Sequence, residues 1–307
     1  RGSYAALDSR VDYGQPVPGS CRRKPVLYDG LISVEQLAGV IALPGCVVID
    51  CRFDLADPES GRRAYLESHL PGARYAHLDE HLSGPTTEQS GRHPLPDPGE
   101  FCRRLGEWGV TRNAQVVAYD DSGGPFAARL WWLLRWLGHP ASAVLNGGFS
   151  AWVSSGLEVT SAASEFKPTK YQASPDNGLW IAADRLLQDL RDQQVLLVDA
   201  RAPDRFRGDV EPIDPVAGHV PDAINLPWQG NLGEHALFLP ADQLAARFKD
   251  AMPDSTRKVV HMCGSGVTAC HNLLALHTAG LPCGTLYAGS WSEWIRDPSR
   301  PVCRGSL

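Results

Sequence analysis

Short apolar runs alternate with longer amphipathic segments along most of the chain. Four of these runs are rich in β-branched residues and are bounded by polar residues or glycine, as buried parallel strands are. They occupy residues 47–50, 116–119, 196–199 and 259–262. Because strands that alternate with helices usually pair in parallel, the pattern predicts an α/β fold with one parallel sheet in each half of the chain.

The segments between the strands have the spacing of amphipathic helices. Ser33 and Gln36 are placed as a capping box at the start of one helix. Two longer helices are predicted over residues 126–137 and 269–279, and each is ended by a glycine with a proline two residues later. The tryptophans of the first long helix are expected in the core and at the domain interface.

Four motifs recur in the same order in the two halves of the chain. The matching segments are 47–52 with 196–201, 69–73 with 219–223, 116–120 with 259–263, and 145–152 with 287–294. An ordered repeat of this kind predicts two tandem domains, at residues 24–156 and 179–297. Residues 157–178 are rich in Ser, Ala, Pro and Lys and are predicted to form the linker.

The composition excludes several classes of protein. The chain has 307 residues, of which 43% are hydrophobic, and a formal net charge of −6. These values favour a folded globular protein. No basic run is long enough for a nucleic-acid-binding surface, and no apolar stretch approaches the roughly 20 residues of a membrane span. We therefore expect neither nucleic acid nor a membrane as a partner.

The eight cysteines are spread along the chain without a Cys-x-x-Cys pair. This distribution favours free thiols and a cytoplasmic location over a disulfide scaffold. No histidine pair accompanies Cys46 and Cys51 to form a zinc site, and the sequence lacks a dinucleotide-binding or Walker motif. We expect no metal and no cofactor, and we interpret all cysteines except Cys263 as small core side chains.

Cys263 has a different setting, because it follows a predicted strand and precedes a predicted helix. Ligands of open α/β sheets bind at such carboxyl ends of strands. Gly264 and Gly266 allow the loop to turn tightly, so that its N–H groups can point inward toward an anion. The N-terminal end of the following helix adds positive potential. This environment stabilises a thiolate and predicts that Cys263 is a nucleophile.

The sequence Cys-Gly-Ser-Gly-Val-Thr-Ala at 263–269 resembles the active-site loop of the 3-mercaptopyruvate sulfurtransferases in the rhodanese superfamily. The resemblance covers about residues 24–297 and includes the repeated His-x-Pro turns and the closing Gly-Ser-Trp-Ser-Glu-Trp at 289–294. It implies two tandem rhodanese-like domains, each a parallel sheet flanked by helices. The second domain would be catalytic, and the first would lack the catalytic cysteine.

The resemblance also implies a two-step reaction. Cys263 would take sulfur from 3-mercaptopyruvate as a persulfide and release pyruvate. A thiol acceptor, either a thioredoxin-like protein or a low-molecular-weight thiol, or cyanide would then remove the sulfur. The loop N–H groups that stabilise the thiolate would also stabilise the persulfide anion.

Further site residues follow from the same resemblance. Donor binding is assigned to these positions: Arg205, Gly264, Gly266, Val267 and Thr268. The planar fork of an arginine suits a carboxylate. A second carboxylate-binding arginine of the family has no counterpart in residues 211–219, which leaves Arg207 as its candidate replacement.

Some members of the family place a Ser–His–Asp triad beside the cysteine. Ser265 matches its serine, and His93 and Asp79 in the first half match its other two members. A histidine is suited to relay protons near neutral pH, here to the leaving enolate. The assignment places the site between the two domains.

Three alternative functions fit the sequence less well. Thiosulfate-using relatives carry Arg-Lys where this chain has Gly264 and Ser265, and an uncharged loop fits a monocarboxylate thiol better. Phosphatases of the superfamily need an arginine six positions after the cysteine, where this chain has Ala269. A non-enzymatic sulfur-relay or regulatory module is the third alternative, although such modules often lose the cysteine or the loop glycines.

The first half has Asp120 at the position of Cys263. A carboxylate cannot carry a persulfide, so we expect this loop to take no part in sulfur chemistry. Arg52 and Arg201 occupy matching positions in the two halves and are interpreted as structural residues.

Overall fold

The computed structural model describes residues 27–252 and 257–305 and shows an α/β protein with two parallel sheets. The strands of the first sheet, within those residues, are β1 (Gly30–Ile32), β2 (Cys46–Asp50), β3 (Arg74–Tyr75), β4 (Gln115–Tyr119) and β5 (Ser142–Leu145). The strands of the second are β6 (Val195–Asp199), β7 (Ile224–Asn225), β8 (Lys258–Met262) and β9 (Thr285–Leu286). The predicted strands are therefore confirmed to within one residue.

Helices connect the strands in both halves. Those of the first half are α1 (Val34–Ala38), α2 (Ser60–Glu67), α3 (Leu78–His81), α4 (Pro98–Glu107), α5 (Pro125–Trp136) and α6 (Gly148–Ser154). Those of the second half are α7 (Ala183–Arg191), α8 (Pro203–Arg207), α9 (Ala241–Ala251), α10 (Thr268–Thr278) and α11 (Ser290–Trp294). Short 3₁₀ turns cover Asn177–Leu179, Trp228–Asn231 and Glu234–Ala236.

The two sheets have related strand orders, β1-β5-β4-β2-β3 and β7-β6-β8-β9. In the first, β2 pairs with β4 so that Asp50 lies opposite Tyr119. In the second, β6 pairs with β8 so that Asp199 lies opposite Met262. The equal register confirms the repeat in three dimensions and places the residues after β4 and β8 at the same edge of their sheets.

The predicted helix ends are confirmed in their chemistry and shifted by one residue. Ser33 Oγ accepts from the Gln36 N–H while the Gln36 side chain accepts from the Ser33 N–H, which is the predicted capping box. The long helices α5 and α10 start and end one residue before the predicted limits. Each is followed by a glycine with positive φ, Gly138 at 64° and Gly280 at 68°.

An arginine–aspartate pair repeats at the end of the central strands. Arg52 donates to both carboxylate oxygens of Asp50 and to the Ser68 carbonyl, at 2.6–3.0 Å. Arg201 makes the same bonds to Asp199 and to the Gly218 carbonyl, at 2.7–3.1 Å. Both arginines therefore tie a strand end to the loop beside it, as the repeat predicted.

One hydrophobic core joins the two halves through α5 and α10, which pack against each other. Trp131, Trp132 and Trp136 of α5 are at most 4% exposed, so the prediction that they belong to the core is confirmed. Because α5 follows the Asp120 loop and α10 follows the Cys263 loop, the same interface brings the two loops together.

The cysteines are less uniform than the sequence suggested. Cys51, Cys102 and Cys270 are buried, but Cys46 and Cys283 are only partly buried and Cys303 is exposed. The prediction of core positions is wrong for these last three. Cys46 begins β2, Cys283 lies just before β9 and Cys303 lies near the C-terminus, where less protein covers the side chains. Cys21 lies outside the described residues.

The predicted linker contains little regular structure, since residues 161–176 form no helix or strand. The domain limits at 24–156 and 179–297 stay a prediction, and residue 24 lies outside the described part of the chain. Within the described residues, none of the helices has the length and apolar character required to cross a bilayer.

Burial of His261 on β8 generates a prediction about acid stability. The side chain is fully buried, neither ring nitrogen has a hydrogen-bond partner within the described structure, and burial lowers its pKa from 6.5 to about 3. Below about pH 6.5, His261 is therefore protonated in the unfolded chain but remains neutral in the folded chain. The free energy of unfolding should fall by about 1 kcal/mol per pH unit on this account.

We expect His261→Met to remove that contribution, so that stability declines less between pH 7 and pH 5 than in the wild type. Urea unfolding at the two pH values measures the difference. His235→Gln, at an exposed position, is the control and should keep the wild-type slope. An unchanged slope in His261→Met would show that another group causes the acid sensitivity.

Candidate functional site

The loop between β8 and α10 holds Cys263 at its deepest point. The Gly266 N–H donates to Cys263 Sγ at 3.1 Å. Gly266 has a φ of 78°, and a Cβ there would lie 2.2 Å from the Ala288 carbonyl oxygen. Only glycine fits this position, and the tight turn that it allows directs the N–H at the sulfur.

Neighbouring backbone fixes the start of this loop. The Cys263 N–H donates to Ser290 Oγ at 3.1 Å, and the Cys263 carbonyl accepts from the Trp291 N–H at 3.0 Å. The Gly264 carbonyl accepts from the Ser292 N–H at 2.9 Å. The loop is thus attached to the start of α11 and holds the sulfur in a constant position.

A cavity of about 410 Å³ opens onto the loop. Residues of both halves line it, including Arg92, His93, Arg205, Cys263, Gly264 and Ser265. Val267 and Thr268, two other predicted donor-binding residues, also line it. Gly266 lies behind the loop surface instead, so its contribution is the N–H directed at Cys263. Cys263 itself is only 1% exposed, and it lines this cavity.

Three predicted residues form a continuous chain of hydrogen bonds across the domain interface. Ser265 Oγ lies 2.7 Å from His93 Nδ1. His93 Nε2 lies 3.1 Å from Asp79 Oδ1. The structure therefore brings Ser265, His93 and Asp79 together. Ser265 and His93 are 172 residues apart in the sequence.

The surroundings of the Ser265–His93–Asp79 hydrogen-bond chain determine which of its groups carry a proton. Burial lowers the pKa of His93, while the hydrogen bond to Asp79 acts in the opposite direction. The hydrogen bond from His93 lowers the pKa of Asp79, which stays ionised. A neutral imidazole that donates its Nε2–H to Asp79 leaves Nδ1 as the acceptor for the Ser265 hydroxyl.

Two arginines converge on Gly264 at the entrance of the loop. Arg205 Nε and Nη2 bind the Glu211 carboxylate at 2.7–3.2 Å, and Arg92 Nη1 binds Asp214. A Cβ on Gly264 would lie 3.0 Å from Arg92 Nη2 and 3.6 Å from Arg205 Nη1. The acidic pair thus holds one side of each guanidinium, and the other side faces the loop.

Burial has an opposing effect on one of the acids. It raises the pKa of Asp214, whereas Arg92 and Arg205 favour the charged form. Arg205 Nη2 also lies 3.3 Å from Asp214 Oδ2. Asp214 therefore binds both Arg92 and Arg205, and Glu211 binds Arg205. Neither acid was identified from the sequence.

Arg207 does not take the position of the missing second arginine. Its Nε donates to Asp209 at 2.7 Å at the protein surface, because the last turn of α8 directs it away from the cavity. Arg92, which the first half contributes, occupies the place beside Gly264. The sequence placed it only as the neighbour of His93, since nothing local indicates a contact with a loop 170 residues away.

The equivalent loop of the first half encloses a carboxylate. Asp120 accepts from the N–H groups of Ser122, Gly124, Phe126 and Ala127 at 2.8–3.0 Å. Burial raises the pKa of Asp120 and the four donors lower it. The loop is therefore a filled anion site, which agrees with the expectation that it holds no persulfide.

One further cluster has the composition of a metal site. Glu59, His77 and Glu80 place one possible ligand atom each within 4.8 Å of one another. Arg62 already binds both carboxylates, at 2.9 Å and 2.7 Å, and the His77 ring accepts from the Asp79 N–H at the start of α3. These bonds account for the three side chains without a metal ion.

Family comparison agrees with the repeat and with the loop. The rhodanese-like domain model matches residues 33–155 and again residues 182–297. The chain belongs to the rhodanese family. The family assignment inferred from the Cys263 loop, and the α/β fold class predicted from the strand–helix pattern and the repeat, are thereby confirmed.

Relatives of this rhodanese carry two kinds of name. A "Probable 3-mercaptopyruvate sulfurtransferase" of Pseudomonas aeruginosa is 50% identical over 278 residues, or 90% of this chain and 98% of the relative. The thiosulfate sulfurtransferase of Rattus norvegicus is 34% identical over 291 residues, or 91% and 97%. The structure of 3-mercaptopyruvate sulfurtransferase from Leishmania major has a TM-score of 0.77 at 30% identity, covering 88% of this chain and 76% of that one.

The filled anion site of the first half generates a prediction about stability. Asp120→Ala leaves four N–H groups, three of them on buried residues, without their acceptor, and we expect the free energy of unfolding to fall by roughly 3 kcal/mol. Asp121→Ala, which removes two exposed hydrogen bonds from Ser150, should cost less than about 0.5 kcal/mol. Urea unfolding monitored by tryptophan fluorescence measures both. Equal losses would show that the cradle contributes nothing specific.

Proposed function

We propose that this chain is a sulfurtransferase that carries sulfur from 3-mercaptopyruvate to a thiol or cyanide as a Cys263 persulfide. The observation that carries the proposal is the Gly266 N–H directed at Cys263 Sγ, in a cavity that is also lined by Ser265 and His93. Asp79 lies behind His93 and completes the hydrogen-bonded chain. The site offers an enclosed nucleophile, a donor for its anion and a proton relay, which together are what this reaction requires.

In the first step the Cys263 thiolate attacks the thiol sulfur of the donor. The new S–S bond forms as the donor C–S bond breaks, and the electron pair of that bond goes to carbon as the pyruvate enolate. The Ser265 hydroxyl, bonded to His93 Nδ1, accepts the S–H proton and delivers a proton to the enolate carbon. The products are pyruvate and a persulfide anion, so atoms and charge balance.

In the second step an acceptor thiolate attacks the outer sulfur. An S–S bond forms on the acceptor, the bond to Cys263 breaks, and the electron pair returns to Cys263 as its thiolate. Cyanide in the same role leaves as thiocyanate. The cavity is open to solvent on one side, which gives the acceptor its route to the sulfur.

Arg205 supports binding of the donor carboxylate. Its Nη1 faces the loop, while Glu211 and Asp214 hold the rest of the guanidinium in place. A pre-oriented arginine binds a carboxylate with little loss of side-chain entropy. Neither Gly264 nor Ser265 adds a positive charge to the loop, which favours a monocarboxylate donor over a dianion.

Thiosulfate is the second candidate donor, and one observation favours it. Arg92 Nη2 lies beside Gly264, so the site has a cation that the loop sequence lacks. Thiosulfate transfer releases sulfite and needs no proton at carbon. The reaction with 3-mercaptopyruvate therefore depends on proton transfer by Ser265, whereas the reaction with thiosulfate does not.

Comparison of the two donors tests the proposal. We expect a higher kcat/KM for 3-mercaptopyruvate than for thiosulfate, with Cys263→Ser inactive toward both. Ser265→Ala should lower kcat for 3-mercaptopyruvate about 100-fold, because proton delivery to the enolate is lost. The same variant should change thiosulfate turnover less than about threefold. A higher kcat/KM for thiosulfate would contradict the preference for 3-mercaptopyruvate. The absence of turnover with either donor would contradict the proposal that the chain is a sulfurtransferase.

The arginine contacts generate a separate prediction. Arg205→Ala should raise KM for 3-mercaptopyruvate about tenfold or more with a smaller change in kcat, because a charged hydrogen bond to the donor is lost. Initial-rate kinetics give both constants. Arg207→Ala, from the same helix but bound to Asp209 at the surface, is the matched control. An unchanged KM in Arg205→Ala would remove this residue from the donor site.

A further inference from the structure

Arg129 on α5 is a fully buried arginine between the two halves of the protein. Its guanidinium donates to four backbone carbonyls on both sides of the interface. Nη1 binds the Gly266 carbonyl of the Cys263 loop at 3.2 Å. Nε and Nη2 bind the carbonyls of Leu82, His93 and Pro94 in the first half, at 3.1–3.4 Å.

The positive charge of this side chain is not neutralised locally. Within the described part of the chain, Arg129 forms an ion pair with neither an aspartate nor a glutamate. Burial lowers its pKa, and its interactions with the Cys270 and Cys263 sulfurs oppose that change. Since arginine stays protonated under the conditions in which proteins are folded, Arg129 places an unpaired cation in the core.

Isolated buried charges are costly, so one that lies against a reactive loop calls for a counter-charge. Gly266 provides the link, because its N–H binds Cys263 Sγ and its carbonyl binds Arg129. Cys270 Sγ donates to the same carbonyl at 3.3 Å. Burial raises the pKa of Cys270 to about 12, so Cys270 stays neutral and does not compensate the cation.

We propose that Arg129 is a positioning residue whose buried charge stabilises the anion on Cys263 from behind the loop and whose bonds hold the loop against the His93 segment. The inference rests on the proposed function, in which Cys263 is a thiolate and then a persulfide anion. The thiolate form of Cys263 and the guanidinium thus complete a pair that neither half contains alone. Arg129 does not touch the donor, because no part of its surface reaches the cavity.

Other ionisable groups also surround the loop and contribute to its electrostatics. They are His93, Arg92, Arg201, Arg205, Asp79, Glu211, Asp214 and Cys270. Arg92, Arg201 and Arg205 each have a carboxylate partner. Arg129 is thus distinguished from them by its lack of one, and its removal should act on the anion rather than on a salt bridge.

The pH dependence of Cys263 alkylation by iodoacetamide tests the proposal. It is measured on the full chain for wild type, Arg129→Lys and Arg129→Met, with modification at Cys263 identified by mass spectrometry and Cys263→Ser as the blank. We expect Arg129→Met to move the midpoint upward by about one pH unit, which is about tenfold in reactivity near neutral pH. Arg129→Lys keeps the charge and should keep most of the wild-type midpoint.

Turnover gives a second measurement. Arg129→Met should lower kcat for 3-mercaptopyruvate about tenfold with KM unchanged, because the charge acts on the sulfur and not on the donor. Arg135→Met, on the same helix but bound to Asp29 near the surface, is the matched control and should resemble the wild type in both assays. If Arg129→Met fails to fold, Arg129→Gln replaces it, since its amide can still bind a carbonyl.

Equal alkylation midpoints in wild type and in the uncharged variant would overturn the inference and leave Arg129 a structural residue. A midpoint that rises as far in Arg129→Lys as in the uncharged variant would overturn the electrostatic role. Alkylation requires no sulfur donor. If wild type transfers sulfur from neither donor, the proposed function fails while the alkylation comparison still reports on Arg129.

Discussion

In each half, the loop after a central strand directs one or more backbone N–H groups at a buried side chain, and this arrangement is the constraint on which both halves depend. In the first half this side chain is the Asp120 carboxylate, which accepts hydrogen bonds from four N–H groups. The second half places Cys263 there, which accepts from the Gly266 N–H and which, in the function that we propose, carries the transferred sulfur atom. The same backbone geometry is therefore structural in one half and, in the function that we propose, chemical in the other.

This constraint explains why the site needs both halves. The second half contributes the nucleophile, the loop and Arg205, and the first contributes His93, Asp79 and Arg92. Bonds across the interface set the distances among them, such as the 2.7 Å contact between Ser265 and His93. Because the core continues from α5 to α10, relative movement of the halves would disturb packing as well as the site. A single copy of the repeat would have the loop without its proton relay.

Most of the fold was predictable from the sequence, and only part of the site was. Strand and helix positions follow from local periodicity, and the repeat and the Cys263 loop can be read as short motifs. Arg92 and Arg129 were missed, and Arg207 was wrongly considered, because contacts across an interface depend on helix packing that periodicity does not encode. One signal was available: Arg129 is a single charge among eight apolar neighbours in residues 126–134, which favours burial against polar partners.

Helix α5 links the Asp120 loop of the first half to the Cys263 loop of the second. The N–H groups of Phe126 and Ala127, in the first turn of α5, bind the Asp120 carboxylate and fix the start of that helix. Arg129 follows two residues later and points across the interface at Gly266. The anion that does no sulfur chemistry therefore determines where the buried cation lies, and the cation in turn faces the loop of the cysteine.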